Sequence, residues 1–130
     1  MSRCDIIDAF PAFLGFWAKV RGNPVDKQIN AWAAEYMSQW PDLLRMQQDD
    51  YVSEDVDWRQ VAREKVFPFL GDRLAGMGLA HKHLLASCTS IYARAERVLG
   101  FESDVTFVIY VGIGCGAGWV EPFRGSPAVL

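Results

Sequence analysis

A glycine-rich segment near the end of the printed sequence holds the residues with the clearest chemical potential. Gly112, Gly114 and Ala117 fit the spacing of the dinucleotide-binding fingerprint, and a predicted strand precedes them. That fingerprint needs a helix after the glycines to receive a pyrophosphate, whereas Trp119 and Pro122 follow here. We therefore interpret the segment as a tight turn or bulged strand that offers a surface to a ligand or partner. The predicted surface residues are Gly114, Cys115, Gly116, Gly118 and Trp119.

Thiol and imidazole chemistry are the next alternatives. Cys115 lies among glycines whose backbone amides could lower the pKa of its thiol, but a thiol enzyme also needs a histidine within hydrogen-bond reach. His81 and His83 are the only histidines, and on a regular helix they point about 200° apart, so they do not ligate one metal together. We expect His81 to pack against an apolar face, His83 to be solvated, and Cys88 to be an inert buried thiol.

The densest acidic cluster is explained by helix capping and solvation. A calcium loop of the helix-loop-helix type needs a glycine at its sixth position, and this cluster lacks one from either possible start. Carboxylates in the first turn of a helix are stabilised by the helix dipole. The cluster comprises Asp49, Asp50, Glu54, Asp55 and Asp57.

Composition limits the possible partners and location. Hydrophobic residues make up 51% of the 130 residues and charged residues 22%, which is typical of a globular domain. The net charge of -3 argues against a nucleic-acid partner, because phosphate binding needs a basic surface. No apolar run reaches the roughly 18 to 20 residues that span a bilayer, so we expect no membrane partner. The three cysteines form no Cys-x-x-Cys pair, which indicates a reducing, cytoplasmic location.

The sequence predicts about four helices over residues 1–101. Ser2 followed by Asp5 resembles a capping box and Gly22 a C-terminal stop, so the first helix is predicted between them, with Pro11 early in it or splitting it. The second helix is predicted to start with Asn23 as its cap. Its apolar stripe consists of Ile29, Trp32, Ala33, Tyr36, Met37 and Trp40.

Prolines and glycines divide the rest of the helical body. Pro41 either ends the second helix or begins another turn. A third helix is predicted to start near Ser53 and to close at Gly76-Met77-Gly78, and Pro68 within it predicts a kink or two short helices. A fourth helix is predicted over residues 79–99, with Gly100 as its C-cap. The predicted buried face of the fourth helix is Leu84, Cys88, Ile91, Tyr92, Ala95 and Leu99.

After residue 104 the apolar pattern changes to that of a sheet. Residues 105–111 form a predicted buried strand, and residues 119–120 and 128–130 are its predicted neighbours. The sequence therefore predicts an α+β single domain over residues 1–130. It consists of about four helices in residues 1–101, followed by a small C-terminal antiparallel or mixed sheet with a Gly-rich turn in residues 104–130.

The last quarter of the sequence resembles a segment of predicted bacterial zinc-dependent peptidases. The resemblance rests on Tyr-Val-Gly-Ile-Gly-Cys-Gly-Ala-Gly-Trp at residues 110–119 and on Gly-Ser-Pro-Ala-Val-Leu at residues 125–130. It implies the helical N-terminal part and first strands of a zincin-like domain. In that family a His-Glu-x-x-His helix binds zinc, and this sequence contains no such motif. The resemblance therefore carries over no catalytic residue and no metal ligand to this chain, and it implies zinc and peptidase activity only if a downstream catalytic segment exists.

Two classes of function remain open. The first is a non-catalytic fragment or truncated relative of such a peptidase, with no hydrolytic activity as an isolated chain, which binds peptide or protein at an exposed sheet edge or associates with itself. The resemblance places that edge at residues 116–120. The alternative is a small-molecule binding domain with an aromatic pocket near the Gly-rich turn. An unpaired apolar strand at the C-terminal end favours the first class and predicts either borrowed strands or a longer natural chain.

Overall fold

The computed structural model describes residues 3–100, 102–113, 120–123 and 126–129. Within these residues the strands are β1 (Cys4–Asp8), β2 (Val105–Ile109), β3 (Val120–Phe123) and β4 (Ser126–Val129). The α-helices are α1 (Phe10–Val20), α2 (Val25–Ala31), α3 (Pro41–Ser53), α4 (Trp58–Val61) and α5 (Leu70–Leu99).

The four strands form one mixed sheet in the order β1-β2-β4-β3. Strands β1, β2 and β4 run parallel, and β3 pairs antiparallel with β4. The predicted α+β class, a helical body with a small sheet, is confirmed. Parallel neighbours need long connections, and here the whole helical body is the connection between β1 and β2.

Strand β1 corrects the predicted first helix. Cys4–Asp8 is extended and pairs with β2 over its full length, from Cys4 opposite Val105 to Asp8 opposite Ile109. Helix α1 begins only at Phe10, with Pro11 in its first turn, where a proline costs no backbone hydrogen bond. The backbone hydrogen bonds to a distant strand outweigh the local capping signal. That signal consisted of Asp5 and of Ser2, which lies outside the residues that the structure describes.

Two π-helical turns bend the helical body. After α2, a π-helical turn at Trp32–Tyr36 and a 3-10 turn at Met37–Gln39 lead to α3, which starts at Pro41. The second turn, at Ala62–Val66, precedes a 3-10 turn around Pro68, so the α-helix is interrupted there and is not a straight rod, as predicted. The apolar stripe predicted for the second helix is largely correct. Its fully buried members are Ile29, Trp32, Tyr36 and Met37.

Helix α5 is one continuous helix where two were predicted. It runs for 30 residues through Gly76 and Gly78 and ends at Gly100, whose φ of 62° is the predicted left-handed cap. A glycine inside a helix costs about 1 kcal/mol relative to alanine, which weakens a helix without ending it. Among the described glycines only Gly100 has a positive φ.

Helices cover both faces of the sheet. Ile7, Val108 and Ala128 face a large core that is built mainly from α1, the residues after α2, and the start of α5. The alternate residues of the same strands, among them Cys4 and Phe107, face Cys88 and Tyr92 in the second half of α5. The register of the strands explains this division, because residues that lie opposite each other share a face.

The predicted buried face of the last helix is only partly buried. Cys88 and Tyr92 are in the core, but Leu84, Ile91 and Leu99 are 49%, 60% and 77% exposed. The sheet contacts a narrower strip of α5 than the apolar pattern indicates, and the remaining apolar side chains face outwards. None of the helices among the described residues combines the length and apolar character needed to cross a bilayer.

Candidate functional site

The predicted surface at Gly114, Cys115, Gly116, Gly118 and Trp119 lies outside the described residues. The structure describes the chain on both sides of it, up to Ile113 and again from Val120. The carboxyl ends of parallel strands are where open sheets of this kind place ligand sites. The residues that hold the chain there, between the end of β2 and Ile113, therefore define the candidate site.

Aromatic side chains fix the backbone that leaves β2. The indole Nε1 of Trp32 donates a 3.0 Å hydrogen bond to the carbonyl oxygen of Val111. The hydroxyl of Tyr51 donates to the carbonyl oxygen of Ile113. Both side chains come from the helical body, and each is at most 3% exposed. The carbonyl groups of Val111 and Ile113 lie outside the strands, and side chains supply their hydrogen bonds. Buried polar groups in folded proteins require such partners.

Tyr36 joins the carboxyl ends of the two parallel strands β1 and β2. Its hydroxyl donates to the carbonyl oxygen of Ala9 at 2.8 Å and accepts from the backbone N–H of Val111 at 3.3 Å. Burial raises the pKa of Tyr36, the hydrogen bond from Val111 acts in the opposite direction, and the carboxylate of Asp8 adds to the increase. The hydroxyl is therefore a structural link that stays protonated at neutral pH.

Gln47 contributes a buried amide to the same region. Its Oε1 accepts a 2.6 Å hydrogen bond from the hydroxyl of Tyr110, and the residue is 0% exposed. Its Nε2 has no hydrogen-bond partner among the described residues. A buried donor without a partner is uncommon in folded proteins.

Asp8 and His81 form a pair at the carboxyl end of β1. Nε2 of His81 lies 2.8 Å from Oδ2 of Asp8, and the backbone N–H of Phe10 donates to Oδ1 at 3.1 Å. The ring of Phe10 lies 4.5 Å from the imidazole, centroid to centroid. The expected apolar contact of His81 is thus present, and His83 is exposed as predicted. No group of three or more His, Cys, Asp or Glu within the described part of the chain could hold a metal ion.

The outer side of β1, which faces away from β2 at the edge of the sheet, is a second candidate site. The N–H of Ala9 donates to the carbonyl oxygen of Ile109, and the N–H of Val105 donates to that of Arg3. Because successive residues of a strand direct their backbone groups to opposite sides, Cys4, Ile6 and Asp8 direct theirs away from β2. No strand among the described residues pairs with that side.

An open cleft of about 550 Å³ lies beside the acidic cluster. The rings of Tyr51 and Trp58 are stacked there at 5.8 Å with an interplanar angle of 14°. Asp57 lines the cleft and also caps α4, since its Oδ1 accepts from the N–H of Gln60 at 3.2 Å. The predicted capping role is therefore confirmed at Asp57. The helix start predicted at Ser53 is wrong, because Ser53 is the last residue of α3 and Asp49 and Asp50 lie near the C-terminal end of that helix.

Sequence reasoning placed Tyr36 and Trp32 in the core without their hydrogen-bonding roles, and it missed Asp8, Gln47 and Tyr51. The available sign of these hydrogen bonds was the polar atoms that Tyr36 and Trp32 carry within an apolar stripe. A buried tyrosine hydroxyl or tryptophan N–H needs a hydrogen-bond partner. A comparison with protein-family models, one with curated proteins and one with solved structures each found no match to this chain.

Proposed function

We propose that this chain binds an extended segment of a peptide or protein by strand addition at the outer side of β1. The observation that carries this proposal is the direction of the backbone groups of Cys4, Ile6 and Asp8, which point away from β2. An added strand gains affinity from main-chain hydrogen bonds to such an edge and specificity from the side chains beside it. Ile6 supplies an apolar side chain, 36% exposed, in the middle of the edge.

The choice of β1 over the other edge strand rests on proline. Strand β3 is the opposite edge of the sheet and contains Pro122, which has no N–H to donate to a partner. Strand β1 contains no proline, and the side chains of Asp5 and Arg3 at its start form an ion pair of 2.8 Å with each other. The proposal thus keeps the binding mode expected from the sequence and moves it from residues 116–120 to residues 4–8.

We propose no catalytic step for this chain. The relationship to zinc-dependent peptidases rests on the glycine and proline motifs of residues 110–130, and the sequence contains no His-Glu-x-x-His motif. A non-catalytic relative that retains a sheet edge for peptide binding is consistent with both facts. Hydrolysis of peptides by the purified chain, abolished by a chelator, would contradict this part of the proposal.

Ile6→Pro tests strand addition, because it removes one outward N–H and leaves the groups that bond to β2 intact. The probe is a fluorescein-labelled peptide that copies residues 104–111, the sequence that already pairs with β1 in the fold. We expect saturable binding in fluorescence anisotropy, unchanged in Ile6→Val and weakened at least about tenfold in Ile6→Pro. Circular dichroism checks that both variants are folded.

Hydrogen exchange supplies the second readout. In the free protein the amides of Cys4 and Ile6 should exchange faster than those of Asp5 and Ile7, and the peptide should slow the exchange of the first pair. The proposal is wrong if no saturable binding occurs, if Ile6→Pro binds as well as Ile6→Val, or if protection appears elsewhere on the chain.

A small-molecule binding function is the second candidate, and the cleft beside Tyr51 favours it. Tyr51 stacks on Trp58 in this cleft, and its hydroxyl also donates to the carbonyl oxygen of Ile113, the residue directly before Gly114. Asp55 and Asp57 line the cleft, and the guanidinium of Arg59 lies 4.6 Å from the centroid of the Trp58 ring, so this ring already accepts one flat cation. Nuclear magnetic resonance titration with benzamidinium is the test, and shifts confined to residues 48–58 that are lost in Trp58→Leu would support this candidate.

A further inference from the structure

Helix α5 carries an exposed apolar stripe that the core does not use. Leu84, Ile91 and Val98 are 49%, 60% and 65% exposed. They are seven residues apart, so each lies nearly above the previous one along the helix, with a drift of only about 20° per step. Together they span about 21 Å of helix, which is the length of roughly four turns of a partner helix.

One flank of this stripe carries a basic side chain. Arg94 follows Ile91 by three residues and precedes Val98 by four, so it borders both, whereas the helical repeat places Arg97 about 120° round the helix from Ile91. Neither arginine forms an ion pair with a carboxylate among the described residues. Glu96 is the only acidic residue between positions 80 and 99, and the helical repeat places it on the opposite side of α5.

These charges decide between two possible occupants of the stripe. In a second copy of this chain, the same stripe would bring its own Arg94 to the contact, without a carboxylate on that flank to meet it. Like charges at a contact disfavour association, whereas complementary charges steer it and fix its register. A helix with carboxylates beside its apolar residues packs on the stripe and also pairs with Arg94.

We propose that the stripe of Leu84, Ile91 and Val98 binds an amphipathic helix of a partner protein that carries acidic residues next to its apolar face. The apolar side chains of that helix repeat every three or four residues and pack between those of the stripe. The carboxylates pair with Arg94. This surface is separate from the outer side of β1 and is independent of the function proposed above.

Two synthetic peptides test the proposal. Both carry the same leucines at helical spacing, and their flanking positions are glutamate in one and lysine in the other. We expect the glutamate peptide to bind to the purified chain in fluorescence anisotropy and the lysine peptide to bind at least about tenfold more weakly. Arg94→Glu should reduce or reverse this preference.

Helix α5 offers a matched control for the apolar contact. Leu79 is 59% exposed, but it lies about 140° round the helix from Leu84. Ile91→Glu should abolish binding of the glutamate peptide, and Leu79→Glu should leave it unchanged. The proposal is overturned if neither peptide binds, if both bind equally, or if both variants behave alike. Dimerisation in sedimentation that is lost in Ile91→Glu would also overturn it, in favour of a second copy.

Discussion

Replacing Tyr36 with phenylalanine removes one hydroxyl that serves two strands. The carbonyl oxygen of Ala9 also accepts from the N–H of Phe13 at 3.3 Å, so it keeps a partner. The N–H of Val111 loses its acceptor in a half-buried position. A lost hydrogen bond that leaves such a group unsatisfied costs about 2 kcal/mol, and we expect the free energy of unfolding to fall by that amount at neutral pH.

The assay is urea unfolding followed by tryptophan fluorescence. With an m-value of about 2 kcal/mol/M, the midpoint of Tyr36→Phe should lie about 1 M below that of the wild type. Tyr92→Phe is the comparison variant, because its hydroxyl donates to the carbonyl oxygen of Ser103 near the other end of the sheet. Equal midpoints for the wild type and Tyr36→Phe would refute the assigned role of this hydroxyl.

Alkaline pH gives an independent check on Tyr36. Burial raises its pKa in the folded state, so the unfolded chain loses this proton first, near the ordinary tyrosine pKa of about 10. The contribution of Tyr36 is therefore fully present below about pH 10 and is lost as the pH rises further. Phenylalanine has no proton to lose, so the stability gap between wild type and variant should narrow above pH 10. A gap that widens there would contradict the assigned cause of the shift.

Glycine substitutions and thiol labelling test other parts of the fold. Gly78→Ala should raise the free energy of unfolding by about 0.5–1 kcal/mol, because the added methyl group meets no atom within 4 Å and the position is helical. Gly100→Ala should lower the free energy of unfolding by about 1 kcal/mol, since φ at this residue is +62°. Denaturant titration of both variants checks that the two changes have opposite signs. Desolvation, with a smaller contribution from Cys4, raises the pKa of the Cys88 thiol. We therefore expect mass spectrometry at pH 8 to show that Cys88 is alkylated at least about tenfold more slowly in the native protein than in urea. Equal rates would contradict the burial of this thiol.

Local sequence signals predicted much of the fold. The stripe from Ile29 to Met37, the kink at Pro68, the cap at Gly100 and the strand after residue 104 all arise from residues close together in the chain. In each case spacing or a single special residue determines the local structure. The fold class follows from the order of these elements.

The errors have a common cause in long-range contacts. Strand β1 depends on pairing with β2 about one hundred residues away, and the local pattern around Asp5 also fitted a helix cap. The pair of Asp8 and His81 spans 73 positions, and the contact of Tyr36 with Val111 spans 75. Spacing along the chain carries no information on such contacts. Two adjacent β-branched residues, Ile6 and Ile7, were the available sign of a strand.

The pairing of β1 with β2 affects the order in which parts of the protein fold during synthesis. The N–H of Arg3 donates to Asp104 across 101 positions, so β1 leaves the ribosome well before its neighbour β2, and almost the whole helical body is made between them. Helices form within about a microsecond, whereas non-local parallel pairing needs a loop to close first. The helices between β1 and β2 therefore form before these two strands pair, and the pairing is a late event of folding.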